Sequence, residues 1–144
     1  MAISGDGNTA IIGAYRKNND TGAAYIFTRS GTTWTQQTKL EASNAENYDS
    51  FGIRVAISSD GNTAVVGAYA EDTGFDNAGA VYIFTRTGTT WTERDMIQPS
   101  DVAINDRFGE DLSISPDGTT IIVGTPNKNS AAGAAYIFNK NYFV

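Results

Sequence analysis

Along much of the chain apolar and polar positions alternate with a period of two, the spacing that sends successive side chains to opposite faces of a β-strand. The stretch FGIRVAIS (51–58) places Phe51, Ile53, Val55 and Ile57 on one face. Asp60-Gly61 follows, a pair suited to a tight hairpin because glycine takes a positive φ without steric cost. TAVVGAY (63–69) predicts a second strand, AVYIFTRT (80–87) a third and TWTERDMI (90–97) a fourth, with a turn at Thr87-Gly88. These are strands A to D of one antiparallel unit, and no helical spacing lies between them.

The unit repeats. DGNTA at 6–10 returns at 60–64 and as DGTTI at 117–121, while YIF begins at Tyr25, Tyr82 and Tyr136, so the period is about 55 residues. The segment between strands B and C alone varies in length, spanning 12 residues from Gly13 to Tyr25, 15 from Gly67 to Tyr82 and 12 from Gly124 to Tyr136. Strands A to C are apolar or small on both faces: in strand C, Val81 and Ile83 face one way and Ala80, Tyr82 and Phe84 the other. Strand D is polar on one side. A sheet buried on both faces at its inner strands and wetter at its outer strand is a blade between neighbouring blades, which predicts an all-β fold of β-propeller blades. A β-helix would need a shorter period, and a sandwich would not repeat its sequence.

The phase of the repeat predicts a single repeat domain over 1–144: a first blade at 1–48 with a clipped first strand, a second at 49–105, and a partial third at 106–144 without its last strand. Under three blades leave apolar faces and strand edges uncovered. Either further blades of a longer propeller cover them or chains associate; the expectation is a homo-oligomer with Ile3 and the apolar tail Tyr142, Phe143 and Val144 at the junction.

Composition narrows the chemistry. With no Cys and no His, thiol nucleophiles, disulfides, imidazole or thiolate zinc sites and histidine bases are excluded. The net charge of -6, with 10 basic residues that never form a run, argues against nucleic acid and anionic membranes as partners. No apolar stretch is long enough for a membrane-spanning helix, and the opening MAISGDGNTA has neither the basic nor the long apolar region of a secretory signal.

Phe51-Gly52 and Phe108-Gly109, with Gly13-Ala14-Tyr15, Gly67-Ala68-Tyr69 and Gly124-Thr125-Pro126, resemble the FG-GAP repeat family. This is the blade type of the integrin α-subunit propeller and of many bacterial surface proteins. The resemblance implies a non-enzymatic module for ligand binding or adhesion, located outside the cell or at its surface. Some members bind calcium in the A–B hairpin through D-x-[DN]-x-D-G-x-x-D. Here Ser58-Ser59-Asp60-Gly61 and Ser115-Pro116-Asp117-Gly118 keep only the Asp-Gly, and one carboxylate per loop is too few for a cation that takes six to eight oxygens. No metal and no cofactor is expected.

Several charged residues recur in phase. Asp6, Asp60 and Asp117 belong to hairpin turns; Arg29, Arg86 and Lys140 end strand C, where charge serves solvation and blocks edge pairing. Asp49 and Asp106 stand two residues before each Phe-Gly, placed to accept a backbone N–H in the turn. Specificity belongs instead to the B–C loops (15–22, 69–79, 125–133) and the D–A connections (41–50, 98–107), which in a propeller emerge on one face. There Tyr15, Asp20, Tyr69, Glu71, Asp72, Phe75 and Asp76 form an acidic, aromatic surface suited to a basic protein patch or a glycan. No catalytic residue is assigned. The leading function is a non-enzymatic binding or adhesion module. A self-assembling subunit of a surface, filament or virion assembly is the alternative, and glycoside hydrolysis, which would need a pair of carboxylates, stands furthest off.

Overall fold

The alternating segments form three antiparallel sheets in the computed structural model, which describes residues 1–139. The first sheet runs β1 (Ala2–Ile3), β2 (Thr9–Gly13), β3 (Ala24–Ser30), β4 (Thr33–Leu40). The second repeats it as β5 (Arg54–Ile57), β6 (Thr63–Ala68), β7 (Ala80–Thr87), β8 (Thr90–Ile97). The third is β9 (Asp111–Ile114), β10 (Thr120–Thr125), β11 (Ala134–Asn139). This is the all-β blade architecture the period predicts. Both complete sheets carry a register shift at the same place, between Ile26 and Phe27 in β3 and between Ile83 and Phe84 in β7.

The Asp-Gly hairpins fix the register. Ser58 donates its hydroxyl to Asp60 Oδ1 at 2.6 Å, and the Asn62 amide reaches the same oxygen at 2.9 Å. Ser4, Asp6 and Asn8 repeat those bonds at 2.6 and 2.9 Å. Each carboxylate is therefore engaged by its own turn, and the Ser115 and Thr119 donors bring the Asp117 carboxyl down to about 2. One expected boundary moves. Strand β5 starts at Arg54 rather than Phe51, because Gly52 takes φ 95° and the Phe51 amide donates to the Thr21 carbonyl of the first blade at 3.1 Å. Phe-Gly is an entry turn fastened to the preceding sheet.

Directly paired residues of an antiparallel ladder share a face. One face of the second blade, with Val66, Tyr82 and Phe84, packs with Phe51 on Ile11, Ala24 and Ile26 of the first. Its other face, with Val65, Val81 and Ile83, packs on Phe108, Ile121, Val123 and Phe138 of the third. Each entry phenylalanine meets two rings of its own blade edge-on: Phe51 at 5.3 Å from Tyr82 and 6.1 Å from Phe84, Phe108 at 5.9 Å from Tyr136 and 5.8 Å from Phe138. At Gly13 a Cβ would overlap the Gly52 carbonyl oxygen, and at Gly67 the Gly109 carbonyl oxygen. Glycine is needed there because the next blade's backbone lies against it.

Two features depart from expectation. The B–C loops of the first and third blades hold short turns, α1 (Lys17–Asp20) and α2 (Lys128–Ala131), that are left-handed at Asn18, Asn19 and Asp20 (φ 52°, 56° and 60°) and at Asn129, Ser130 and Ala131 (φ 54°, 58° and 68°). Asn and Asp tolerate this region better than other residues, which accounts for the NND of the first loop. The strand-end arginines, expected to serve solvation, also make specific contacts, Arg29 while exposed and Arg86 half-buried. Arg29 lies 5.9 Å from the Trp34 ring centre and bonds Asn8 at 3.1 Å. Arg86 lies 5.3 Å from that of Trp91 and bonds Asn62 at 3.1 Å, Gln37 at 3.3 Å and Thr9 at 3.3 Å, so it ties the second blade to the first. The planar, five-donor guanidinium permits stacking and bridging together. Lys140, Tyr142, Phe143 and Val144 lie outside the described residues.

Candidate binding rim

The B–C and D–A loops share one rim because they are joined through their backbones. The Tyr48 amide donates to the Asn19 carbonyl at 3.1 Å and that of Ser50 to Asp20 at 2.7 Å. One repeat later Asn105 donates to Asp76 at 2.9 Å and Arg107 to Asn77 at 3.2 Å. The donors take left-handed conformations in both copies: Tyr48 at φ 74° and Ser50 at 60°, Asn105 at 60° and Arg107 at 58°. Four strained residues held in the same pattern twice mean that surrounding bonds over-determine the rim.

The structure distributes the seven candidate ligand residues unevenly. Tyr15 and Tyr69 are half-buried, each under a guanidinium: Arg16 lies 5.4 Å from one ring centre and Arg107 5.3 Å from the other. Asp20 is half-buried in the left-handed turn. Asp72, Phe75 and Asp76 are exposed together; Phe75 is 51% exposed, and Asp72 Oδ1 accepts the Asn77 amide at 2.6 Å, closing the loop. Glu71 points inward. Its carboxylate is buried and accepts from Asn44 Nδ2 at 2.9 Å, the Thr73 amide at 2.9 Å and the Thr73 hydroxyl. Exposed Tyr48 joins the rim from a D–A loop and was not among the residues singled out from sequence. Its signal was its place beside Asp49 in the repeat.

Beneath the loops sit two equivalent polar clusters. In the second blade Asp49 is buried, accepts the Glu46 amide at 2.8 Å and lies near Glu71, while Asn44 Oδ1 accepts the Tyr82 hydroxyl at 2.8 Å. Burial, then the charges of Glu71, Glu46 and Asp72, push the Asp49 carboxyl up to about 6 against the pull of the Glu46 amide. Burial, and next the charge of Glu71, also raises the Tyr82 hydroxyl above its usual range. In the third blade Asp106 accepts the Ala103 amide at 2.8 Å and an ion pair from Lys128 Nζ at 2.9 Å, with Asp101 Oδ2 3.5 Å from the same amine. Burial opposes the lysine's charge, and Asp106 and Asp101 more than offset it, so its amine titrates above the usual lysine value. Above this pair a depression of about 590 Å³ opens between Ile104 and α2. These clusters organise the loops.

Both rim units follow the repeat, and the FG-GAP repeat profile matches residues 34–84 and 91–138. The chain belongs to the FG-GAP repeat family. Each matched span begins in the last strand of one sheet, at Trp34 of β4 or Trp91 of β8, and ends in the third strand of the next. The FG-GAP unit in sequence is thus the junction between two blades, D–A loop and Phe-Gly included. Such repeats form β-propeller-type modules that are typically non-enzymatic. No curated protein sequence matches the chain. Among the described residues no group of three or more acidic side chains is arranged to hold a metal ion.

Proposed function

We propose that this FG-GAP chain is a non-enzymatic recognition module whose loop rim takes a basic protein surface, as an adhesion module outside the cell would. The observation that carries the reading is the exposed trio Asp72, Phe75 and Asp76 on a loop closed by its own hydrogen bonds and fastened to the next D–A connection. An exposed ring flanked by carboxylates offers a desolvating anchor and charge complementarity to Lys or Arg. A loop already held in place has little ordering entropy left to lose on binding. The chain's charge of -6 favours encounter with such a partner.

The test is a titration of the labelled protein with an Arg- and Lys-rich peptide and, separately, with neutral oligosaccharides, followed by NMR. Amide shifts concentrated at 69–79 and 99–107 with the peptide, and an affinity about tenfold weaker in Phe75→Ala, are the expected results. Shifts produced by oligosaccharides alone would reassign the rim to glycans. Peptide shifts that avoid the rim would overturn the reading.

A further inference from the structure

The two internal junctions define what each blade face is for. In β2 and β3 the directly paired Ile11 and Ile26 are fully buried under the second blade, and in β6 and β7 the paired Val65 and Ile83 are fully buried under the third. The equivalent pair in β10 and β11 is Ile122 with Ile137, and these are 46% and 69% exposed. The third blade presents the same apolar pair, on the same face, without a cover among the described residues. Gly124 matches Gly13 and Gly67, yet a Cβ there would come no closer than 3.7 Å to any neighbour, and a shallow depression of about 340 Å³ lies over it, lined also by Leu112, Ile122 and Ala135. A glycine whose two counterparts each make room for a neighbouring backbone is here open.

The complementary half of the junction is on the first blade. In the second blade, Ile57, Val66, Tyr82 and Phe84 receive the preceding sheet. Their counterparts are Ile3, Ile12, Tyr25 and Phe27, which share one face through the pairings Ile3 with Ala10, Ile12 with Tyr25, and Ala10 with Phe27. Ile3 is 58% and Ile12 39% exposed, and Tyr25 and Phe27 are half-buried. Among the described residues one chain therefore carries both sides of its own internal junction, neither of them covered by another blade.

We propose that the outer face of the third blade docks on the outer face of the first blade of a second copy, head to tail, as each internal junction already does. The occupant is a second copy because the face it must present is the one this sequence repeats: Tyr25 and Phe27 stand where Tyr82 and Phe84 stand, with Ile12 for Val66 and Ile3 for Ile57. The interface is heterologous, using two different patches, so copies close into a ring if the rotation permits and extend into a filament if it does not. This goes beyond the proposed rim function and does not depend on it.

Sedimentation velocity and native mass spectrometry of the 144-residue chain, from micromolar to hundreds of micromolar, test the proposal. The expected result is association that grows with concentration. Ile137→Glu, which breaks the third-blade face, and Ile12→Glu, which breaks the first-blade face, each weaken it on the order of a hundredfold. Both sites are exposed, so the melting transitions of the two variants as monomers remain cooperative. An equimolar mixture of the variants restores one intact junction and yields a dimer and nothing larger. A wild-type chain that stays monomeric throughout overturns the proposal. So does a mixture that fails to pair while the wild type associates, since that pattern belongs to an isologous contact through one face.

Discussion

The second and third blades place polar clusters at equivalent positions with opposite electrostatics. Asn44, Asp49, Glu71 and Tyr82 of the second occupy the places of Asp101, Asp106, Lys128 and Tyr136 in the third. In both, the aspartate accepts one D–A amide at 2.8 Å, and the tyrosine hydroxyl donates at 2.8 Å to the side chain at position 44 or 101. The differences compensate. Where the loop supplies Lys128, two aspartates face it; where it supplies Glu71, one of them becomes a neutral Asn that donates to the glutamate. Equivalent positions can thus hold either an ion pair or two neighbouring acids, provided the third side chain adjusts. The third blade obtains a buried, paired charge, whereas the second keeps an acid that binds its proton unusually tightly.

The ion pair gives the largest expected effect. Lys128→Met leaves the Asp106 carboxylate buried without its cation, and removing one partner of a buried pair costs about 3 kcal/mol. Urea unfolding at neutral pH measures it. A loss comparable with that of an exposed lysine would mean that Asp106 is satisfied by its amide alone.

The second blade responds to pH. Because the folded pKa of Asp49 is raised to about 6, the folded state binds that proton more tightly than the unfolded chain. The resulting stabilisation is complete below about pH 4 and is lost as pH rises through about 6. With allowance for solvent screening, the swing amounts to about 1–2 kcal/mol, and Asp49→Asn should flatten it. Glu71→Gln should move the Asp49 carboxyl midpoint, followed by NMR, to lower pH without returning it fully to the ordinary range, since burial is the larger cause. No movement would remove Glu71 from the account.

A conversion sharpens the comparison. Glu71→Lys alone gives up the bonds from Asn44 and Thr73, while adding Asn44→Asp recreates the third blade's arrangement. The double variant should recover about 1 kcal/mol relative to the single one, read from melting temperatures. Asp101→Asn has the smallest expected effect. Its carboxylate is largely exposed, so weakening its pairing with Lys128 should lower the melting temperature least of these substitutions.

These clusters also show where sequence reading reached its limit. Strands β7 and β8 were legible to the residue, because alternation and a Gly-containing turn are local. Asp49 and Asp106 were legible as turn acceptors for the same reason. The inward turn of Glu71 was not, since its partners Asn44 and Thr73 come from two loops and a carboxylate in a polar loop reads as solvated. Nor was the grip of Arg86 on Thr9, a contact across 77 positions between blades.

By itself the sequence determined the alternating strands, the Asp-Gly hairpins and the repeat, all written within spans of a few residues or as a period. Only the tertiary structure decided which face of each strand is covered and by what. Val65 and Ile122 are equivalent in sequence, and one is sealed while the other is open. The physical reason is that alternation fixes the two faces of a strand, whereas burial depends on a neighbouring sheet encoded some 55 residues away.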